Sequence, residues 1–375
     1  MVTARRRSAK APAETASPPA NDPVPVPVPI DLALQGGGSH GAFTWGVLDR
    51  LLDEPTLAFC GVSGTSAGAL NAGVLATGFA AGGRAGAQAA LRAFWLDVSG
   101  QGGCFGGTPP ASLPRAWPFS PGLASFNLDQ QPVYAWFAEF LRFFSPYQFN
   151  PLGLNPLRDV ASRHIDVAAM RSGPLQLFIT ATSVRTGQPR VFSWPELSID
   201  ALLASACLPQ VFRAVVIDDE PYWDGGYSSN PALWPLVYRT DPMDILLVRI
   251  NPLVHADLPD TPVEIADRVN QITFNAGLVS EMRAIAFVQR LVAQGQVDPG
   301  RYKGLRLHMV ADDEGLAPLH ASSKMNTDRQ FLEALHALGH IAAERWLAAH
   351  RQDVGVTSSL DIATTFLAPR EVVAR

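Results

Sequence analysis

From Ile30 onward, short apolar runs alternate with longer segments in which apolar residues recur every three to four positions. Residues 30–35 read as a buried strand, and 42–52 follow with helical periodicity. A second strand is expected at 56–62, followed by a small-residue helix running to about Ala80. Further strands are expected at 175–184, 190–193, 213–217, 244–250 and 305–310. In the helix expected over 262–293, Ile265, Val269, Ile272, Val279, Met282 and Ile285 lie close to one stripe. Another helix is expected at 328–350, with Thr327 and Gln330 placed as a capping box. Strands alternating with helices predict an α/β fold, a mostly parallel sheet sandwiched by helices.

Two segments break this pattern. Residues 1–29 hold Arg5, Arg6, Arg7 and Lys10 and end in alternating prolines from Pro23 to Pro29, so a disordered tail is expected. Residues 101–150 carry 12 of the 33 aromatics, where an even spread would put about four. This window reads as a helical insertion or a lid over an apolar groove. Tyr134, Phe137, Leu141 and Phe144 would share one helical stripe, and Trp136, Phe140 and Phe143 an adjacent one. The main domain then spans 30–355, and 356–375 reads as a C-terminal tail.

Composition narrows the function. The net charge of −5 gives no reason to expect nucleic acid as a partner. Cys60, Cys104 and Cys207 lack any CxxC spacing, which removes a disulfide framework and a cysteine-rich zinc site. No run of 18 apolar residues suggests a spanning helix. A cytoplasmic protein is expected, with transient contact at a membrane surface.

Three motifs carry chemistry. Gly36-Gly37-Gly38-Ser39-His40-Gly41 follows a strand and opens a helix, and formally matches the dinucleotide signature GxGxxG. That reading also needs a carboxylate at the end of the second strand. Asp53 and Glu54 precede that strand, and Gly61-Val-Ser-Gly64 stands at its end, so an oxidoreductase is the weaker alternative. The glycines nevertheless expose backbone N–H groups at a helix start, where an anion is favoured. Gly64-Thr65-Ser66-Ala67-Gly68 is GxSxG between a strand and a helix, the setting of a nucleophilic serine. A serine needs a base. His255, His308 and His320 have no local sequence that marks them, whereas Asp224 precedes Gly225 and Gly226 in a loop.

The order of these motifs resembles the patatin-like phospholipase family over residues 30–250, together with the segment from Ala204 to Phe212, which is similar to the family's Ser-Ala-x-x-x-Pro-x-x-Phe. The resemblance implies a serine lipid acyl hydrolase without cofactor or metal. Ser66 would be the nucleophile and Asp224 its partner. The loop Gly36, Gly37 and Gly38 would form the oxyanion hole, with Gly41, Gly64, Gly68, Gly225 and Gly226 flanking the motifs. A catalytically silent lipid-binding protein of the same fold is the further alternative. One departure stands out: the family's glycine loop usually carries Arg or Lys where this chain has His40. His40 would either pack at the helix start or add a pH-dependent charge.

Overall fold

A computed structural model describes residues 26–100, 122–129, 131–255, 258–298 and 301–368. Its centre is an eight-stranded sheet: β1 (Val28–Leu34), β2 (Leu57–Thr65), β3 (Gln176–Ser183), β4 (Pro189–Phe192), β5 (Val215–Ile217), β6 (Glu220–Asp224), β7 (Asp244–Val248) and β8 (Arg306–Val310). The order is β5-β6-β3-β2-β1-β7-β8, with β4 also paired to β3. Strands β3, β2, β1, β7 and β8 are parallel, β4 and β6 each pair antiparallel with β3, and β5 pairs antiparallel with β6. Strand β6 was not foreseen as a strand, because its five residues include Glu220 and Pro221.

Residues alternate between two cores, as the two-residue period of a strand requires. On β7, Leu246 and Val248 enter one core and Ile245 and Leu247 the other. The first core is covered by α1 (Gly41–Leu52), α2 (Ala67–Gly100) and the helix Arg329–His350. The second is covered by the helix Pro262–Ala293, the short helix Trp234–Arg239 and the chain after Ser358. Helix α2 extends beyond its expected end near Ala80, but Gly82 and Gly83 interrupt it with non-helical backbone.

Several expectations require correction. Leu360 and Ile362 are buried, and Leu360 N–H donates to the Leu307 carbonyl at 3.0 Å, so residues 356–368 are packed chain rather than tail. Val28 and Pro29, placed in the tail, open β1, whereas 1–25 lie outside the described residues. The helix Arg329–His350 is capped by Asp328, whose carboxylate accepts from Gln330 and Phe331 N–H at 2.8 and 3.1 Å. A carboxylate one residue nearer the helix satisfies two free donors, and Thr327 takes no capping role. In the helix Pro262–Ala293, Phe274, Leu278 and Met282 are the buried apolar residues, while Ile265, Val269 and Ile272 are about half exposed.

Helix α1 meets the helix Arg329–His350 at a contact that only glycine permits. A Cβ on Gly46 would overlap the His336 carbonyl, and one on Gly339 would overlap the Phe43 carbonyl. Gly46→Ala should therefore destabilise the fold by about 1–3 kcal/mol through overpacking. A lowered thermal midpoint checks this; an unchanged one would show that the two helices can separate freely.

Candidate active site

The parallel register of β1 and β2 sets Leu34 beside Gly64, so the chain leaves both central strands side by side at the carboxyl end of the sheet. After β1 comes the glycine loop, and after β2 comes Ser66. Ser66 has φ of +54°, a left-handed conformation that costs a non-glycine residue energy. Its N–H donates to Ser205 Oγ at 2.8 Å, and Ser205 Oγ donates to the Thr180 carbonyl at 2.5 Å. Ser66 O accepts from Leu70 N–H at 3.1 Å, joining the turn to the first turn of α2. Gly36 lies against this turn so closely that a Cβ there would stand 2.6 Å from the Ser66 Cβ. Likewise, a Cβ on Gly64 would stand 2.6 Å from the Gly68 carbonyl oxygen.

A buried polar network holds the glycine loop. Gly36 N–H donates to Asn230 Oδ1 at 2.6 Å, and Gly36 O accepts from Asn230 Nδ2 and Asn251 Nδ2 at 3.2 and 2.8 Å. Gln35 Oε1 accepts from Ile250 and Asn251 N–H, while its Nε2 donates to Asn275 Oδ1 at 2.9 Å. Gly38 has φ of +58°, and its Cα faces the Lys324 carbonyl so closely that no side chain fits. The N–H groups of Gly37 and Gly38 donate to no acceptor among the described residues. Gly41 opens α1, pressed against Ala67.

Asp224 ends β6, opposite Ala181 of β3, whose neighbour Thr180 pairs with Thr65, so it stands near the level of Ser66 at the carboxyl end of β2. It is fully buried. Its Oδ1 accepts from Gly226 N–H at 2.7 Å, and its Oδ2 takes no hydrogen bond within reach among the described residues. Burial raises its pKa from 3.8 to about 6; the Gly226 N–H, the nearby Ser66 hydroxyl and the Lys324 charge oppose that rise. Gly225 is fixed by the Thr180 carbonyl and Gly226 by the Phe274 ring, both too close for a Cβ.

Ser66 and Asp224 open into one cavity of about 220 Å³. Leu70, Phe94, Trp95, Leu157, Val160 and Phe212 give it a predominantly apolar wall. Among the described residues, its lining holds one carboxylate, Asp224, one cation, Lys324, and no histidine. His40 packs at the start of α1, buried, with Nε2 2.8 Å from Ser323 Oγ and its ring edge toward Phe331. Burial, followed by the charge of Lys324, lowers its pKa to about 3, so it is neutral at physiological pH and adds no charge. His308 is buried between Asp244 and Ser359, at 3.0 and 2.9 Å, and His320 pairs with Asp129 at 2.8 Å. His255 is exposed, and none of these three lines the cavity. At the end of β2 stands Thr65, not a carboxylate; Asp53 caps α1 and Glu54 bonds Thr56.

The model of the family described as patatin-like phospholipase matches residues 32–237, more than half of the chain. No curated protein sequence matches the chain. Among solved structures, it is similar to VipD from Legionella pneumophila at 12% identity and a TM-score of 0.40, covering 92% of this chain and 73% of that one. It is also similar to ExoU in the ExoU–SpcU complex of Pseudomonas aeruginosa at 18% identity and a TM-score of 0.25, covering 92% and 75%.

Sequence reasoning missed Ser205, Asn230, Asn251 and Lys324. Ser205 lies inside the Ser-Ala segment already singled out, and its hydroxyl bridges the strained turn to β3. Ser205→Ala should leave the Ser66 N–H and the Thr180 carbonyl unpaired, at about 1–3 kcal/mol for each buried group. Chemical denaturation measures that loss. Stability equal to the parent would mean that Ser66 does not depend on this bridge.

Proposed function

The chain belongs to the patatin-like phospholipase family, and from that premise we propose that it cleaves carboxylic esters of lipids through Ser66 and Asp224. One observation carries the reading: a strained serine and a buried carboxylate with an unpaired oxygen share a mostly apolar cavity beside free glycine N–H groups. Ser66 Oγ attacks the ester carbonyl carbon while Asp224 Oδ2 takes its proton. The carbonyl oxygen becomes an oxyanion, held by the N–H groups of Gly37 and Gly38 in the loop that begins at Gly36. The bond to the alcohol breaks, and Asp224 returns the proton to the leaving oxygen. Water then attacks the acyl-serine, giving its proton to Asp224, and the released Ser66 oxygen takes it back as the fatty acid departs. The apolar wall suits an acyl chain and excludes competing water.

The base must be ionised. With Asp224 near 6, kcat/KM should fall about tenfold per pH unit as the pH drops below that value. Ser66→Ala and Asp224→Asn should each remove hydrolysis of a short soluble ester with the fold retained. The double variant should be no worse than either, because the two groups act as a unit. Additive losses would contradict a dyad. Large loss on changing His255 or His320 to Ala would point to a triad instead.

Access to lipid is proposed for the aromatic segment. Helix α3 (Pro132–Phe143) has no fully buried residue, and Val133, Trp136 and Phe143 are among its most exposed. Phe144, Tyr147, Leu152 and Leu154 continue this exposed apolar surface toward Pro156 and Leu157, which line the cavity. Apolar bodies of this kind suit the boundary of a membrane surface. Phe105, Trp117 and Phe119, counted in the same aromatic excess, lie outside the described residues. Among those residues, no helix is long and apolar enough to cross a membrane. Replacing Trp136, Phe143 and Leu152 with Ser should reduce hydrolysis of vesicle lipid about tenfold or more while sparing a short soluble ester. Parallel loss on both substrates with a falling thermal midpoint would mark the segment as ordinary core.

A further inference from the structure

The cavity holds a buried carboxylate that must remain ionised and a reaction that builds negative charge, yet the glycine loop offers no cation, because His40 is neutral. Lys324 stands there instead. It comes from the short helical segment Ala321–Met325, about a hundred residues beyond Asp224 and outside the region that the family model matches. Its ammonium donates to Asn270 Oδ1 at 2.8 Å and sits 5.1 Å from the centroid of the Phe274 ring. Phe274 in turn presses on Gly226, the residue whose N–H holds Asp224. The Lys324 carbonyl closes on Gly38, so Lys324 touches the glycine loop through its backbone and, by way of Phe274, reaches the Asp224 side through its side chain.

We propose that Lys324 is the positioning residue that supplies the active site's positive charge, keeping Asp224 ionised and favouring the negatively charged transition state. This rests on the assignment of Ser66 and Asp224 above. Lys324 forms no direct ion pair with Asp224 among the described residues, so it acts across the cavity by charge. Asp267, on the helix Pro262–Ala293, is the other carboxylate that acts on the ammonium; it accepts from Ala321 N–H and lies 3.7 Å from His320 Nδ1, beside Asp129. His40, on the glycine-loop side, is the remaining titratable group facing it. A lysine so placed is tunable: burial lowers its pKa to about 8, with Asp267 and Asp224 opposing the shift.

The test is the pH profile of kcat/KM on a short soluble ester for the parent, Lys324→Met and Lys324→Arg, with thermal unfolding of each. In the parent, activity should fall on the acid side near 6 and again, about tenfold, on the alkaline side near 8 as the ammonium loses its proton. Lys324→Met should move the acid limb up by about one pH unit and have no alkaline limb. Lys324→Arg, charged throughout, should keep the acid limb and also lose the alkaline decline. Limbs that stay in place in a folded Lys324→Met variant would overturn the proposal. So would an alkaline limb near 8 that persists in Lys324→Arg, which decides the matter if the Met variant does not fold. Hydrolysis that survives Ser66→Ala would instead sink the assignment of the nucleophile, a separate outcome.

Discussion

The site depends on one close approach of backbone to backbone. Strands β1 and β2 pair in parallel with Leu34 beside Gly64, and the glycine loop after one is pressed against the strained turn after the other. A left-handed serine is held only where its surroundings over-determine it. Here Gly36 and Gly68 leave room for the turn, Ser205 binds its N–H, and α2 begins at once to receive its carbonyl. The same contact fixes where the free N–H groups of Gly37 and Gly38 lie relative to the Ser66 oxygen. The proposed nucleophile and the proposed anion-binding loop are thus set by one feature of the sheet rather than by two independent ones.

Desolvation is the second constraint, and it acts unequally on the ionisable groups. It raises Asp224 to about 6, lowers Lys324 to about 8 and lowers His40 to about 3. Between about 6 and about 8 the cavity therefore contains one anion and one cation, with His40 uncharged behind the glycine loop. This pattern answers the question raised by histidine in the glycine loop: the ring packs against Phe331 and Ser323, and the positive charge comes from elsewhere.

What the sequence made legible was what is local. The two glycine motifs and the Asp-Gly-Gly turn are short, and each carries its own conformational reason for being glycine-rich. The strands of the parallel sheet were visible because both faces are buried and their apolar runs are continuous. What stayed hidden is long-range. Gln35, Asn230, Asn251 and Asn275 form one network across some 240 positions, and no local pattern marks an asparagine as a clamp. Lys324 looks like any surface lysine until the fold brings it to Gly38 and Phe274. The stripe at Ile265, Val269 and Ile272 has a helical period, but the chain leaves that half exposed, since periodicity gives a face and not its partner.

The central claim is that Ser66 is the residue that becomes acylated. Treating the protein with a fluorophosphonate, which phosphonylates activated serines, and mapping the adduct by peptide mass spectrometry tests it without reference to any particular lipid. A single adduct on Ser66, formed far more slowly in Asp224→Asn, is the predicted result. An adduct on another serine, or ester hydrolysis that continues after Ser66 is fully modified, would contradict it.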